Sequence, residues 1–113
     1  MITYLRGNIT DLNPTNIVIE CNGVGYYLNI SLNTFSKIDK NKTSDNTILT
    51  YLHVREDAHT LYGFCDHEER KIFLMLLSVS GIGASTAMMI LSSLSSNEIR
   101  MAILKQQKRM NLT

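Results

Sequence analysis

Leu76-Leu77-Ser78-Val79-Ser80-Gly81-Ile82-Gly83-Ala84-Ser85-Thr86-Ala87-Met88-Met89-Ile90-Leu91 is the stretch on which the fold of this chain turns. Apolar residues at 76, 79, 82, 87, 90 and 91 flank two glycines with one residue between them. That layout predicts a helix, a tight Gly-x-Gly turn and a second helix packed back on the first. Ala87, Ile90, Leu91 and Leu94 recur at helical spacing, so one face of the second helix is expected to be buried. Gly81 and Gly83 leave the loop without bulk and permit backbone conformations closed to other residues. Several amide N–H groups then point outward at a helix N-terminus, where hydrogen bonds and the dipole both favour an anion. A phosphodiester suits such a seat without any base being read.

As the opening of a dinucleotide-binding fingerprint the stretch fits poorly. Its sixth position is Thr86, and the segment before it reads as helix rather than strand. The pattern resembles the helix-hairpin-helix motif of sequence-nonspecific DNA-binding proteins, with every apolar and glycine position filled. A plain helical hairpin, whose glycines only make the turn, is the competing reading. The stretch alone favours backbone binding without deciding it.

On either side, two capping patterns frame the helices. Asp66 with Glu69 opens the helix carrying Phe73, Leu76 and Leu77, and Ser95 with Glu98 opens a third helix with Ile99, Ala102 and Ile103 inward. Upstream, from Ile2 to about Phe64, the period is two. Ile2 to Ile9 reads as a strand ended by a turn at Asp11-Leu12-Asn13-Pro14. Thr15 to Cys21 is β-branched and runs into Asn22-Gly23, a strong hairpin signal, after which Val24, Tyr26, Leu28 and Ile30 alternate. Ser31 to Ile38 holds one helical turn, and Lys37 to Asn46 reads as a solvated loop. Ile48, Thr50, Leu52 and Val54 resume the alternation, and Thr60 to Phe64 is the last strand. The fold class is therefore α+β, all-β then all-α: a five-stranded OB-type barrel over 1–64, then a three-helix unit over 65–104. Residues 105–113 lack an apolar stripe and are expected to be a disordered polar tail, with Lys105, Lys108 and Arg109 as solvated cations.

The chain has 113 residues, 44% hydrophobic and 19% charged, which suits a folded domain or two small ones. Its net charge of +1 gives no global electrostatic footprint, so DNA binding must rest on local amides and a few placed cations. Cys21 and Cys65 form no C-x-x-C and read as small buried hydrophobes in a reducing compartment. No signal peptide or membrane span is apparent, which predicts a cytoplasmic protein with no membrane contact. No Gly-x-x-x-x-Gly-Lys-Ser/Thr loop is present, so this chain is not expected to hydrolyse ATP. No catalytic set, metal site or cofactor is expected: His53 and His59 lack partners and read as barrel-surface residues, His67 as a helix-start residue.

Several short motifs in order carry a wider resemblance. They are Met1-Ile2 with Leu5-Arg6-Gly7, Asn22-Gly23-Val24-Gly25-Tyr26, Val54-Arg55-Glu56-Asp57-Ala58, Leu61-Tyr62-Gly63-Phe64, Glu69-Arg70 with Phe73, and Gly81-Ile82-Gly83. Together they resemble the amino-terminal and first central portions of the RuvA family, the Holliday-junction-binding subunits of the bacterial branch-migration machine. The resemblance covers residues 1 to about 104. It implies a non-catalytic, structure-selective scaffold for four-way junction DNA in recombination, DNA repair and the SOS response, assembled as a homotetramer, with an octamer left open. It also implies that Glu56 and Asp57 form an acidic pin at the junction centre, where carboxylates repel phosphates and limit the DNA shapes that fit. An ordinary exposed Glu-Asp turn is the alternative. Backbone contact carries over to Val79, Gly81, Ile82, Gly83, Ala84, Ser85 and Thr86, with Ile82 plugging the hairpin into the core. Arg55 is either a cation for DNA or a surface partner of Glu56 or Asp57.

The family also carries a second helix-hairpin-helix, a linker and a small carboxy-terminal domain that engages the ATPase RuvB, and it works with the resolvase RuvC. Neither a second Gly-x-Gly nor that domain is read after Leu104. Without the domain the RuvB contact is in doubt for this sequence, and with one hairpin each duplex contact is expected to be weaker. The alternatives are a weakly binding fragment or a single-strand or protein-interaction module built on the barrel, which clustered aromatics on one barrel face would favour.

Overall fold

Asn22 and Gly23 adopt φ of 52° and 84°, the positive pair that a two-residue hairpin turn demands of a right-twisted ribbon. This turn joins β2 (Asn16–Cys21) to β3 (Val24–Asn29) and pins their register from Cys21 opposite Val24 to Asn16 opposite Asn29. The structure, a computed structural model, describes the backbone of residues 1–111 and the side chains of residues 1–105. Around the hairpin stand β1 (Tyr4–Leu12), β4 (Asn46–Val54) and β5 (His59–Phe64). The strands close in the order β1-β2-β3-β5-β4, the five-stranded barrel expected of the alternating half of the sequence.

β1 runs further than its alternation suggests. The turn expected at Asp11 begins only after Leu12, because a bulge between Ile9 and Asp11 lets the strand bend and go on pairing with Val18 and Ile17. A bulge breaks the period of two, so the continuation was hidden. Inside the barrel Ile17, Ile19 and Leu28 are fully buried, with Ile9, Ile30 and Ile48 around them.

Between β3 and β4 the expected helical turn is α1 (Leu32–Lys37), capped by buried Ser31, whose Oγ accepts from the Thr34 N–H. After β5 follow α2 (His67–Leu77), α3 (Ala84–Ser93) and α4 (Ser96–Asn111). The backbone of 105–111 is thus helical, a correction to the disordered tail expected over 105–113. α4 begins on a reciprocal box, Ser95 N–H to Glu98 Oε1 and Glu98 N–H to Ser95 Oγ, both 3.2 Å, and runs on from that nucleus. Leu112 and Thr113, and the side chains of Lys108 and Arg109, lie outside the described residues.

The helices close over one end of the barrel through Phe73. Its ring centroid lies 5.7, 5.3 and 5.1 Å from those of Tyr51, Tyr62 and Phe64. Burying such a ring completely contributes about 2–3 kcal/mol. Leu76, Ala87, Leu91, Ile99 and Ile103 extend this second core through the three helices. Barrel and helices therefore share a common apolar wall.

Candidate nucleic-acid interface

α2 ends at Leu77, where the Ser78 N–H returns to the Leu74 carbonyl at 3.2 Å and the Ser78 hydroxyl donates to Met75 O at 2.6 Å. The chain then turns tightly: Val79 N–H bonds Leu76 O at 3.0 Å and Ile82 N–H bonds Val79 O at 3.2 Å. Gly81 takes φ of 86°, the left-handed region, so the turn itself requires glycine there. Ile82 and Val79 are half-buried, and Ile82 packs on the helical core as the sequence suggests. Leu76, Val79, Ile82, Ile90 and Ile103 line an apolar cavity of about 250 Å³ beneath the loop.

Gly83 is the N-cap of α3, with φ of −89° and ψ of 176°. Any residue adopts that conformation, and a Cβ built on Gly83 would meet no atom within 4 Å. The protein's own packing gives no reason for glycine here. Having no side chain, Gly83 also leaves the first-turn N–H groups of α3 without a capping acceptor, and no acidic residue stands in that turn. Ser85 and Thr86 are exposed, while Ala84 is buried beneath them. The result is a bare helix N-terminus with hydroxyls beside it, a seat for an anion that approaches along the backbone.

The β4–β5 turn is built differently. Arg55 N–H donates to Ala58 O at 2.8 Å, closing a loop in which Glu56, Asp57 and Ala58 are all exposed. The Arg55 Nε donates to His53 Nε2 at 3.0 Å, so its side chain is turned toward β4. Among the described residues the ion pairs are Arg6–Asp45, Lys37–Asp66 and Arg100–Glu68, and neither Glu56 nor Asp57 takes part. The surface pairing of Arg55 with its acidic neighbours is therefore not what the structure holds.

A cleft of about 170 Å³ lies between turn and helix, lined by His53, Arg55, Asp57, Thr60, Ala84 and Ser85. It brings Asp57 and the start of α3 to one surface; Glu56 and Gly81 lie outside its lining. His59 and His67 are exposed, and no group of three or more His, Cys, Asp or Glu among the described residues is placed to hold a metal ion. Cys21 and Cys65 are free and half-buried rather than buried, packed at the edge of the barrel core. Burial, then the nearby Glu69 and Asp66 carboxylates, push the Cys65 thiol up to about 11. No helix of the described residues is long and apolar enough to cross a membrane.

The barrel tyrosines do not make a stacking platform. Tyr51 and Tyr62 are spent on the wall against Phe73. The exposed ones, Tyr4 and Tyr27, stand on β1 and β3, which β2 separates.

A buried polar junction that no local sequence pattern signals ties α1 to α2. Ser31 and Thr34 hydroxyls both donate to Glu69 Oε1, the first at 3.0 Å, and all three residues are buried. The expected Asp66–Glu69 box is only half formed: Glu69 N–H bonds Asp66 Oδ1 at 2.8 Å, while the Glu69 carboxylate turns to α1. Lys37 pairs with Asp66 at 2.9 Å. Burial pushes the Asp66 carboxyl up, but the Glu69 N–H and the Lys37 ammonium together outweigh it, and the group lies below its ordinary value.

A closed five-stranded OB-type barrel, roofed by three helices with a bare Gly-x-Gly turn, defines a barrel-plus-helical-hairpin protein. Within that class the profile of the RuvA N-terminal domain matches residues 1–63, and the chain belongs to that family. Among curated relatives, the Holliday junction branch migration complex subunit RuvA of Christiangramia forsetii is 54% identical over 103 residues, 91% of this chain and 52% of its own length. The protein of the same name from Bacteroides thetaiotaomicron is 56% identical over 99 residues, covering 88% of this chain and 48% of the relative. That from Cytophaga hutchinsonii is 43% identical over 107 residues, 94% of this chain and 52% of the relative. The chain spans about half the length of the curated relatives it matches.

Proposed function

We propose that this chain binds four-way junction DNA by shape and without base readout, as a non-catalytic scaffold subunit of a branch-migration complex. The observation that carries the reading is Gly83, a glycine for which the protein's own packing has no use, at the uncapped start of α3. A phosphate seated on the amides of residues 83–86 explains it, because any side chain there would hold the DNA backbone away. Val79 and Ile82 support the loop from beneath; Ser85 and Thr86 add hydroxyl donors. The names of the relatives, all subunits of Holliday junction complexes, support the same reading.

Glu56 and Asp57 act by exclusion. Both are exposed and outside any ion pair among the described residues; Asp57 lines the cleft shared with the start of α3, and Glu56 precedes it on the turn. A continuous duplex crossing both elements meets repulsion from these carboxylates; strands parting around the turn avoid it. One hairpin makes few phosphate contacts, so useful affinity requires several copies, and we assign a homotetramer whose avidity multiplies a weak single contact. Motor activity belongs to a partner ATPase such as RuvB, with resolution by RuvC, in the cytoplasm.

The test is a gel-shift competition at one moderate salt concentration between a synthetic four-way junction and linear duplex or single strand of matched length. Junction preference is expected, and the Glu56→Gln, Asp57→Asn double variant should bind linear duplex about three- to tenfold more tightly, narrowing it. Equal binding of all three DNAs by the unaltered protein, or monomers only in sedimentation at micromolar concentration, would overturn the proposal.

A further inference from the structure

Shape selection by a grip and a repulsive turn works only if the distance between them is fixed. The turn belongs to the barrel, the grip to the helices, and the two parts meet largely through apolar packing, which is non-directional and tolerates small sliding. One set of directional bonds between them runs from Arg70 of α2 to the Thr3 and Thr50 carbonyls, at 2.7 and 3.3 Å, near the barrel wall. The others converge on one short element, α1, the one of the two that also reaches α3. Its Ser31 and Thr34 hydroxyls hold Glu69 near the start of α2. Its Asn33 Nδ2 donates to the Leu91 carbonyl and, at 3.4 Å, to that of Leu94, and the Leu32 N–H donates to Ser92 Oγ at 3.1 Å. α1 therefore grips α3 by its C-terminal end, and the phosphate seat is at the other end. α3 is a rod about 15 Å long, so a tilt of roughly 10° about the gripped end swings the glycine loop by about 2–3 Å.

We propose that Asn33 and Glu69 are positioning residues for junction selectivity: through α1 they hold α3 at the angle that sets the hairpin against the acidic turn. This rests on the junction-binding reading above. The buried hydroxyl–carboxylate bonds have defined geometry and resist the shear that apolar contacts permit. Neither residue touches the surface assigned to DNA, so loss of either should alter discrimination while leaving the local grip on phosphate intact.

The test compares junction and linear-duplex affinities of the unaltered protein, Asn33→Ala and Glu69→Gln, with circular dichroism melts alongside. Asn33 is only half-buried, so its variant is expected to fold. Asn33→Ala should keep duplex affinity within about twofold and lower the junction-to-duplex ratio about five- to tenfold. Glu69→Gln, which retains an acceptor oxygen for both hydroxyls, should keep the ratio. An unchanged ratio in a folded Asn33→Ala protein, or equal losses on both DNAs, would overturn the inference and leave the junction reading standing. No preference in the unaltered protein would overturn the junction reading, and this inference with it.

Discussion

Two glycines separate what the fold needs from what it does not. Gly7, on β1, lies so close to β2 that a Cβ would stand 2.1 Å from the Glu20 carbonyl oxygen and 3.1 Å from Cys21 Sγ. Gly83, at the head of α3, would meet nothing. At Gly7, glycine is dictated by neighbouring backbone; at Gly83 nothing within the protein dictates it, and the proposed phosphate seat accounts for it. On that reading the missing side chain is structural at the first position and functional at the second.

The sharpest way to break this comparison is Gly7→Ala. Because the clash is with backbone, β1 and β2 must separate, and a loss of roughly 3 kcal/mol or more is expected in chemical denaturation. A variant as stable as the parent would show that the two strands adjust freely. Gly83→Ala probes the other side. Its melting temperature should stay within about 2 °C of the parent, while junction affinity drops about tenfold for the phosphate held off the amides. Full binding by this variant would place the DNA elsewhere.

The smallest effect sharpens the comparison at the wall between the two halves. The Asp66 carboxyl lies below its ordinary value in the folded protein, so its contribution is present above the unfolded value and is lost as pH falls through the folded one. Thermal melts should therefore lose stability below about pH 4, with a shallower decline in Asp66→Asn. Parallel curves for the two proteins would remove Asp66 from the account.

Much of this architecture is legible in the sequence because it is written locally. Alternation, Asn22-Gly23 and the Ser95–Glu98 box each specify backbone geometry within a few residues, and the Gly-x-Gly turn marks both the loop and the uncapped helix start beyond it. What escaped depends on contacts between distant positions. Asn33 reaches across to Leu91, and Glu69 matched a local capping pattern yet sends its carboxylate to Ser31 and Thr34. The bulge after Ile9 and the half-burial of the cysteines likewise follow from neighbours that no local pattern names. That Arg55, just past the end of β4, faces His53 rather than the adjacent acids was by contrast open to a local rule, since side chains two apart along a strand lie on the same face.

The barrel closes where its ladder is thinnest. β3 meets β5 in parallel at one paired position, Asn29 with Tyr62, whereas the other seams are antiparallel and longer. In the time domain this makes the barrel a sheet that zips from its hairpins and shuts last. Closing that seam links residues far apart in the chain, as the β1–β4 seam also does, but it gains a single paired position where β1–β4 gains several, so its loop entropy is the least repaid. Refolding followed by pulsed amide exchange should find Asn29 protected after the β2–β3 hairpin. The seam is also the place where the closed ring can reopen into an edge without disturbing either hairpin.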